Sequence, residues 1–224
     1  MTPTPVAAPA RRRSATDVSE LAVELEGAPA EAVVRRAVEL AGPDLVLLSS
    51  FADVVLLDLT MSIAPDVPVV FLDTGFHFAE TLETVRRAQA RYGIDLRVER
   101  PDLDATDLWA TGTTACCAAR KVEPMNRALA GRTGWLSGLR RTDSPDRAAT
   151  PVVELDRRGL LKFNPLAAWD DDAVEAYAEE RGLIVHPLSV QGYESIGCWP
   201  CTEPGRGRDG RWAGEARSEC GIHG

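Results

Sequence analysis

No apolar run in the sequence approaches the roughly 20 residues that a membrane-spanning helix needs, and its start does not resemble a signal peptide. These two absences exclude an integral membrane protein and argue against a secreted one. Basic residues are also in short supply: 25 Lys and Arg face 34 Asp and Glu, so the net charge is −9. Such a chain lacks the positive field of a non-specific nucleic-acid binder. We therefore expect a cytoplasmic protein that binds neither membranes nor nucleic acids.

Cysteine is scarce and odd in number, with five residues in a chain of 224. A disulfide-stapled scaffold normally has an even number of cysteines in a shorter, secreted chain. In a cytoplasmic protein the thiols point instead to metal binding or catalysis. The rest of the composition, 45% hydrophobic and 26% charged, fits one globular α/β domain with room for a short appendage.

Apolar runs alternate with amphipathic stretches along most of the chain. Strands are predicted over 44–50, 68–73, 94–99 and 133–137. Helices are predicted over 17–41 with a break at 27–29, and over 53–64, 79–92, 121–130 and 170–181. This order predicts an α/β fold with a doubly wound, mostly parallel sheet over residues 17–191. Residues 1–16 are predicted to be a disordered N-terminal tail, and residues 192–224 an irregular C-terminal tail.

Ligand-type residues follow three of the predicted strands, and sheets of this kind bind ligands beyond the carboxyl ends of their strands. The first strand ends in a loop over 49–53, with Ser49, Ser50 and Asp53. The second ends in Leu72-Asp73-Thr74-Gly75, and the fourth in a loop over 138–147 that contains Arg140, Arg141 and Arg147. Each loop alone could be a helix cap or a plain turn. Together they predict a site for a small anionic ligand.

The cysteines fall into three groups. Cys116 and Cys117 are adjacent, Cys198 and Cys201 form a C-x-x-C motif, and Cys220 stands alone. Four thiolates from the first two groups could bind zinc or an iron–sulfur cluster, and the adjacent pair favours the cluster because adjacent cysteines are unusual at a single zinc ion. The alternatives are a redox dithiol at the C-x-x-C motif and a buried, inert pair.

Cys220 is left without a metal role. It lies near His223 in a tail that also contains Arg206, Arg208, Arg211 and Arg217. A cationic setting favours the thiolate and attracts an anionic substrate. Cys220 is therefore the candidate nucleophile, with an incidental terminal cysteine as the alternative.

From Asp44 to its last residue the chain resembles the assimilatory adenylyl-sulfate reductase family, the iron–sulfur branch of the sulfonucleotide reductases. The motifs that carry the resemblance occur in the family's order and approximate spacing. They are the loop over 49–53, Leu72-Asp73-Thr74-Gly75, Cys116-Cys117-Ala118-Ala119-Arg120-Lys121, Gly138-Leu139-Arg140-Arg141, Lys162-Phe163-Asn164-Pro165-Leu166, Ile196-Gly197-Cys198-Trp199-Pro200-Cys201, Gly210-Arg211-Trp212 and Glu219-Cys220-Gly221-Ile222-His223. The resemblance implies an adenine nucleotide α-hydrolase-like fold of the PP-loop type.

The resemblance also implies roles for the candidate residues. A 4Fe-4S cluster would be held by Cys116, Cys117, Cys198 and Cys201. Lys121 would lie between this cluster and the substrate sulfate and would act in catalysis with Cys220 and His223. The adenosine and ribose would be bound by Ser49, Ser50, Asp53, Leu72, Asp73 and Gly75. The phosphosulfate would be bound by Arg140, Arg141, Arg147, Arg208 and Arg211, with His223 beside it.

The reaction implied by the resemblance is the reduction of adenylyl sulfate to sulfite and AMP, for sulfate assimilation and cysteine biosynthesis. The Cys220 thiolate would attack the sulfate sulfur and become an S-sulfonate, and thioredoxin would release sulfite by thiol–disulfide exchange. Since the sequence ends just after His223, we expect no fused thioredoxin-like domain and an external reductant. The oligomeric state is left open, with a homo-oligomer as one option.

Three other functions compete with this one. Reduction of 3′-phosphoadenylyl sulfate is the nearest, but family members that use this substrate generally lack the four cluster cysteines. A PP-loop enzyme of tRNA thiolation would need a Ser-Gly-Gly loop for ATP and a basic RNA-binding face, and the sequence has neither. The third alternative is a zinc-held redox or interaction module.

Overall fold

The computed structural model describes residues 14–102, 112–213, 215 and 219–223 and is built around a six-stranded sheet. Its strands are β1 (Leu45–Leu48), β2 (Val69–Leu72), β3 (Leu96–Glu99), β4 (Gly134–Leu136), β5 (Val153–Leu155) and β6 (Leu161–Phe163). The strand order is β3-β2-β1-β4-β6-β5, and all neighbours are parallel except β5 and β6. The mostly parallel sheet expected from the sequence is confirmed.

Helices flank this sheet. They are α1 (Ala15–Leu25), α2 (Ala30–Ala41), α3 (Val55–Ile63), α4 (Ala79–Tyr92), α5 (Thr113–Cys117), α6 (Glu123–Leu129) and α7 (Asp171–Glu180). A π-helical turn over Ala118–Val122 joins α5 to α6. Across the described parts of the chain, none of the helices has the length and apolarity to cross a membrane.

The alternation of side chains along β1 divides the core between the two faces of the sheet. Leu45 and Leu47 belong to the larger apolar cluster, which includes residues of α1, α2 and α3. Val46 belongs to a smaller cluster with Met125 of α6 and Trp135 of β4. Both faces of a parallel sheet are covered in this way, which explains why the strand reads as an unbroken apolar run. Each fully buried Leu or Val contributes about 1.5–3 kcal/mol.

The structure differs from the sequence-based boundaries in three places. The helix predicted to begin at Lys121 begins at Thr113, so the adjacent cysteines are helical. The three-residue strands β5 and β6 were not predicted. Helix α1 begins at Ala15 because Ser14 and Asp17 form a reciprocal capping box, with the Ser14 amide donating to the Asp17 carboxylate (2.9 Å). The disorder expected of residues 1–13 lies outside the described residues.

The strand order brings the predicted ligand loops together. Strands β2, β1 and β4 are consecutive in the sheet and parallel, so the loops that follow them meet at one edge. This is the edge at which open α/β sheets bind ligands.

Candidate functional site

The loop after β1 is stabilised by its own short side chains. Ser49 Oγ accepts a hydrogen bond from the Phe51 amide (3.2 Å), and Ser50 Oγ accepts one from the amide two residues further on (3.4 Å). The Asp53 carboxylate accepts from the Val55 amide (3.0 Å) at the start of α3. These side chains therefore act as turn and cap groups, the alternative recognised from the sequence.

Phe51 sets the backbone conformation of this loop. Its φ of 56° lies in the left-handed region, which is uncommon for a residue with a bulky side chain. Its ring is fully buried and packs edge-on against Phe71 of β2, with 5.5 Å between centroids. A conformation of this kind costs on the order of 1–3 kcal/mol and persists only where the surrounding structure enforces it. The loop is thus held in one shape at the ligand edge.

The loop after β2 is a tight turn. Gly75 adopts a φ of 75°, and its amide donates to the Asp73 carboxylate (3.1 Å). The same carboxylate forms an ion pair with Arg100 (3.0 Å). Asp73 therefore fixes the turn, and the glycine supplies the left-handed conformation that it requires.

This turn also touches the C-x-x-C motif. Thr74 Oγ1 lies 3.3 Å from Cys198 Sγ, and His77 forms an isolated β-bridge with Cys198. The His77 Nε2 group donates to the Leu72 carbonyl (2.9 Å). Leu72, another predicted site residue, is half-buried and borders the same small apolar cluster as Ile222 of the C-terminal tail. The end of β2 thus lies at the ligand edge and contacts the C-x-x-C motif.

Two of the arginines after β4 share a carboxylate. Asp143 forms ion pairs with Arg140 (3.0 Å) and with Arg147 (2.7 Å). Arg140 also contacts Asp171 (2.8 Å), and Arg147 reaches Glu219 in the tail (2.6 Å). Arg140 additionally interacts electrostatically with Asp53, so it belongs to the ligand edge.

Arg141 does not join this group, and its predicted contact with the phosphosulfate stays a prediction. Its two terminal nitrogens donate to the two carboxylate oxygens of Glu26 (2.7 and 2.8 Å), and its Nε donates to the Thr150 carbonyl (2.8 Å). The pKa of Arg141 is raised, first by the hydrogen bond to Glu26. Arg141 therefore fastens the end of α1 to the arginine loop.

The helix that carries Cys116 and Cys117 ends in the π-helical turn, and Lys121 lies on this turn. Both thiols are buried, and π turns inside helices are frequent at functional sites. Burial lowers the pKa of Lys121, but the negative charges of the Cys198, Cys220 and Cys117 thiolates together raise it above its usual value. The turn thus brings one ammonium group within electrostatic reach of cysteines from all three groups.

Arg120, beside Lys121, anchors the same turn. Its Nη1 donates to the Thr74 carbonyl (2.9 Å), and its guanidinium lies over the Phe76 ring at 4.2 Å from the centroid. It also interacts with the Cys116 thiol, although burial is the larger effect and raises the pKa of Cys116. Arg120 therefore holds the helical cysteines against the loop after β2.

The four cysteines of the pair and the C-x-x-C motif lie close enough to influence one another. Cys198 interacts electrostatically with Cys116 and with Cys201, and Cys201 with Cys117. Burial, followed by these neighbouring thiols, raises the pKa of Cys201 to about 12. Among the described residues, however, no three Cys, His, Asp or Glu side chains are grouped tightly enough to hold a single metal ion.

The C-terminal tail brings Cys220 to this region. Cys220 is 7% exposed and packs with Cys117 and Trp212 in a small apolar cluster that Cys201 and Ile222 border. Three residues later His223 stacks on Trp135 of β4, with 6.0 Å between ring centroids and 16° between planes. The tail is therefore held in place both at Cys220 itself and at His223, three residues further on.

Cations crowd around the end of the tail. Burial and then the charges of Lys162, Arg147, Arg208 and Lys121 hold the pKa of His223 well below its usual 6.5, so its imidazole is neutral at pH 7. Burial and the charge of Arg147 also lower the pKa of Arg208. Mutual repulsion of this kind marks a place where an additional anion would be stabilised.

Arg211 is a further cation of the site. Its guanidinium lies against the backbone at Gly197, directly before Cys198. Its guanidinium lies over the Trp212 ring at 4.6 Å from the centroid, and its Nη1 donates to Ser195 Oγ (3.3 Å). A Cβ atom at Gly197 would overlap this guanidinium. The guanidinium of Arg211 can occupy this position only because residue 197 has no side chain.

Three residues of the site were not singled out from the sequence. Lys162 is 2% exposed, pairs with Glu154 (2.7 Å) and lies 5.5 Å from the centroid of the Trp135 ring. Trp135 supports His223, and Glu219 binds Arg147. Lys162 and Glu219 lie within motifs that carry the family resemblance, and a lysine inside the apolar run over 160–163 was a further signal for Lys162.

Fold and site together define an α/β protein with a mostly parallel sheet whose ligand edge carries two pairs of cysteines, a fifth cysteine on a docked tail, and clustered arginines. The chain matches the family described as the phosphoadenosine phosphosulfate reductase domain over residues 44–204. It belongs to this family.

Named relatives agree with this assignment. The chain is 42% identical to the adenosine 5′-phosphosulfate reductase of Mycobacteroides abscessus, over 90% of this chain and 91% of that protein. It is 45% identical to the protein of the same name from Mycobacterium tuberculosis, over 80% of this chain and 75% of that protein.

Solved structures confirm the fold. The phosphoadenylyl-sulfate reductase of Candida auris matches with a TM-score of 0.77 and 30% identity, over 85% of this chain and 98% of that one. The FMN adenylyltransferase of Candida glabrata has a TM-score of 0.62 at 16% identity, over 90% of this chain and 68% of that one, and is similar in fold alone. The fold is the adenine nucleotide α-hydrolase-like, PP-loop type expected from the sequence.

Proposed function

We propose that this protein is an adenylyl-sulfate reductase that produces sulfite and AMP in sulfate assimilation. The observation that carries the proposal is the juxtaposition of the Cys220 thiol with Lys121, at an edge where Arg147 and Arg208 meet the tail. A nucleophile among cations suits attack on a sulfate group that bears negative charge. The named relatives at 42–45% identity support this substrate.

The loops after β1 and β2 form the adenosine side of the proposed substrate site. Their side chains are largely engaged in fixing the backbone, so Ser49, Asp53 and Asp73 shape the loops that contact the nucleoside. The phosphosulfate would lie beside Arg147, Arg208 and Arg211. Arginine suits this role because its planar fork makes paired hydrogen bonds to phosphate or sulfate oxygens.

The four paired cysteines could hold a 4Fe-4S cluster or a zinc ion, since both take thiolate ligands. The adjacent pair supports the cluster, because adjacent cysteines are unusual at a single zinc ion. When bound to Cys116, Cys117, Cys198 and Cys201, the cluster would fix the four thiolates and set the electrostatic field around Lys121.

Cys220 supplies the nucleophile in the proposed reaction. Its thiolate attacks the sulfate sulfur, an S–S bond forms, and the bond from that sulfur to the bridging oxygen of AMP breaks, so AMP leaves with the electron pair. Lys121, Arg147 and Arg208 stabilise the negative charge on the transferring group. Neutral His223 contributes one hydrogen-bond donor and one acceptor beside this group.

The second half of the reaction requires two electrons, which we assign to the dithiol of thioredoxin. One thiolate of the dithiol attacks the Cys220 sulfur and expels sulfite, and the second thiolate resolves the mixed disulfide to leave oxidised thioredoxin and the Cys220 thiol. Because Cys220 is only 7% exposed, the tail must move away from the sheet before a protein reductant can reach it.

Cys220→Ser tests the proposal. The variant is expected to retain the iron–sulfur absorbance and AMP binding of the wild type and to lose sulfite production. Sulfite release at the wild-type rate would contradict the assignment of the nucleophile. Cys201→Ser is the contrasting variant, since it should lose the iron–sulfur absorbance while Cys220 remains present.

Reduction of 3′-phosphoadenylyl sulfate is the second candidate, favoured by the similarity to the Candida auris enzyme. The two substrates differ by one phosphate on the ribose, so kcat/KM measured for each with the same reductant separates them. We expect the larger value for adenylyl sulfate. A larger value for the 3′-phosphorylated nucleotide would reverse the choice.

A further inference from the structure

Glu219, the residue directly before Cys220, joins the tail to the cationic group. Its carboxylate oxygens accept hydrogen bonds from Nε and Nη2 of Arg147 (2.6 and 3.0 Å). One oxygen also lies 3.4 Å from Nη2 of Arg208. The contact with Arg147 is a two-pronged pairing, the arrangement that arginine also makes with phosphate and sulfate.

The ion pairs of Glu219 are sheltered from water. The Arg147 and Arg208 side chains are 13% and 14% exposed, and that of Glu219 is 27% exposed. Screening by solvent and salt is therefore weaker than for a surface ion pair, and the contact restrains the tail. The proposed function assigns the same two guanidinium groups to the phosphosulfate. The Glu219 carboxylate and the substrate would therefore compete for the same position.

We propose that Glu219 is an internal anion that latches the tail onto Arg147 and Arg208 and is displaced from them by the anionic end of the substrate. This inference rests on the proposed function for the identity of the substrate. During the exchange the packing of Ile222 on the sheet and the stacking of His223 on Trp135 keep Cys220 beside the substrate; without nucleotide, the Glu219 carboxylate adds to these contacts and restrains the tail further. Glu219 is thus a positioning residue for the nucleophile.

Nucleotide binding to Glu219→Gln tests the displacement. ADP is the probe for an adenine nucleotide with a second anionic group, and AMP is the probe without one. We expect the dissociation constant of ADP to fall roughly tenfold in the variant while that of AMP changes less than about twofold, because only the distal group competes with the carboxylate. Glu203→Gln, which makes the same charge change at an exposed position of the tail, should alter neither. Unchanged or weaker ADP binding in Glu219→Gln would overturn the proposal.

Alkylation of Cys220 tests the latch without any nucleotide. The nucleotide-free holoprotein is treated with iodoacetamide, and the peptide containing Cys220 is quantified by mass spectrometry. Glu219→Gln should react severalfold faster than the wild type and Glu203→Gln at the wild-type rate. Equal rates for all three proteins would refute the latch. If the wild type binds neither AMP nor ADP, the proposed function fails, while the alkylation rates still decide whether Glu219 restrains the tail.

Discussion

Gly197→Ala is the perturbation whose effect follows most directly from the structure. An added methyl group would overlap the Arg211 guanidinium, which is buried and stacked on Trp212. The backbone before Cys198 is held by the turn over Trp199–Cys201, so the guanidinium is the part that must move. Gly197→Ala therefore removes a cation from the site without changing any charged residue.

The magnitude follows from the contact that is lost. A hydrogen bond to a charged group contributes about 1.5–3 kcal/mol, and each 1.4 kcal/mol is a factor of ten. If Arg211 contacts the transferring sulfate, kcat/KM should fall about 10- to 100-fold. The lost stacking on Trp212 is expected to destabilise the fold by a further ~0.5–1 kcal/mol, visible as a slightly lower Tm.

The assay is sulfite release from adenylyl sulfate by Gly197→Ala, Arg211→Ala and the double variant, each with the iron content of the wild type. If the methyl group acts by displacing Arg211, the double variant should be no slower than Arg211→Ala. A wild-type kcat/KM in Gly197→Ala, or additive losses in the double variant, would show that the methyl group does not act by displacing Arg211.

Further predictions concern the arginines, the half-buried Tyr92 and the metal. Arg147→Lys should raise KM for adenylyl sulfate at least about tenfold, because the paired hydrogen bonds are lost, while Arg141→Lys, which disturbs the contacts with Glu26 and Thr150, should change it less than about twofold. Burial and the hydrogen bond to Asp58 raise the pKa of Tyr92 from 10.0 to about 12, so the folded state holds this proton more tightly than the unfolded chain. The free energy of unfolding should therefore fall between pH 10 and about pH 12 and fall less in Tyr92→Phe; an equal decline would contradict this. Anaerobically purified protein should contain iron and sulfide, and zinc alone would disprove the cluster.

Patterns of apolar and polar residues over short stretches of sequence predicted the sheet and the convergence of its loops. The apolar runs of β1 and β2 and the amphipathic period of α4 were sufficient for the parallel sheet. The loops that follow β1, β2 and β4 converge because parallel strands share one carboxyl edge. The spacing also suggested the division of five cysteines into four ligands and one nucleophile, and both this division and the 4Fe-4S cluster stay predictions.

Contacts between distant parts of the chain could not be predicted in this way. Arg141 meets Glu26 across 115 residues, so nothing in the arginine loop distinguishes it from Arg147. Strands β5 and β6 have three residues each, too few to show a period. The pairing of Glu219 with Arg147 depends on where the tail docks, which is decided by the packing of Ile222 and His223.

The most direct test of the central claim is a single turnover with sulfur-labelled adenylyl sulfate and no reductant, followed by peptide mass spectrometry. We expect one AMP released per active site and one labelled S-sulfonate, located on Cys220, that thioredoxin converts to sulfite. Label on another cysteine, or free sulfite formed without a labelled protein, would contradict it.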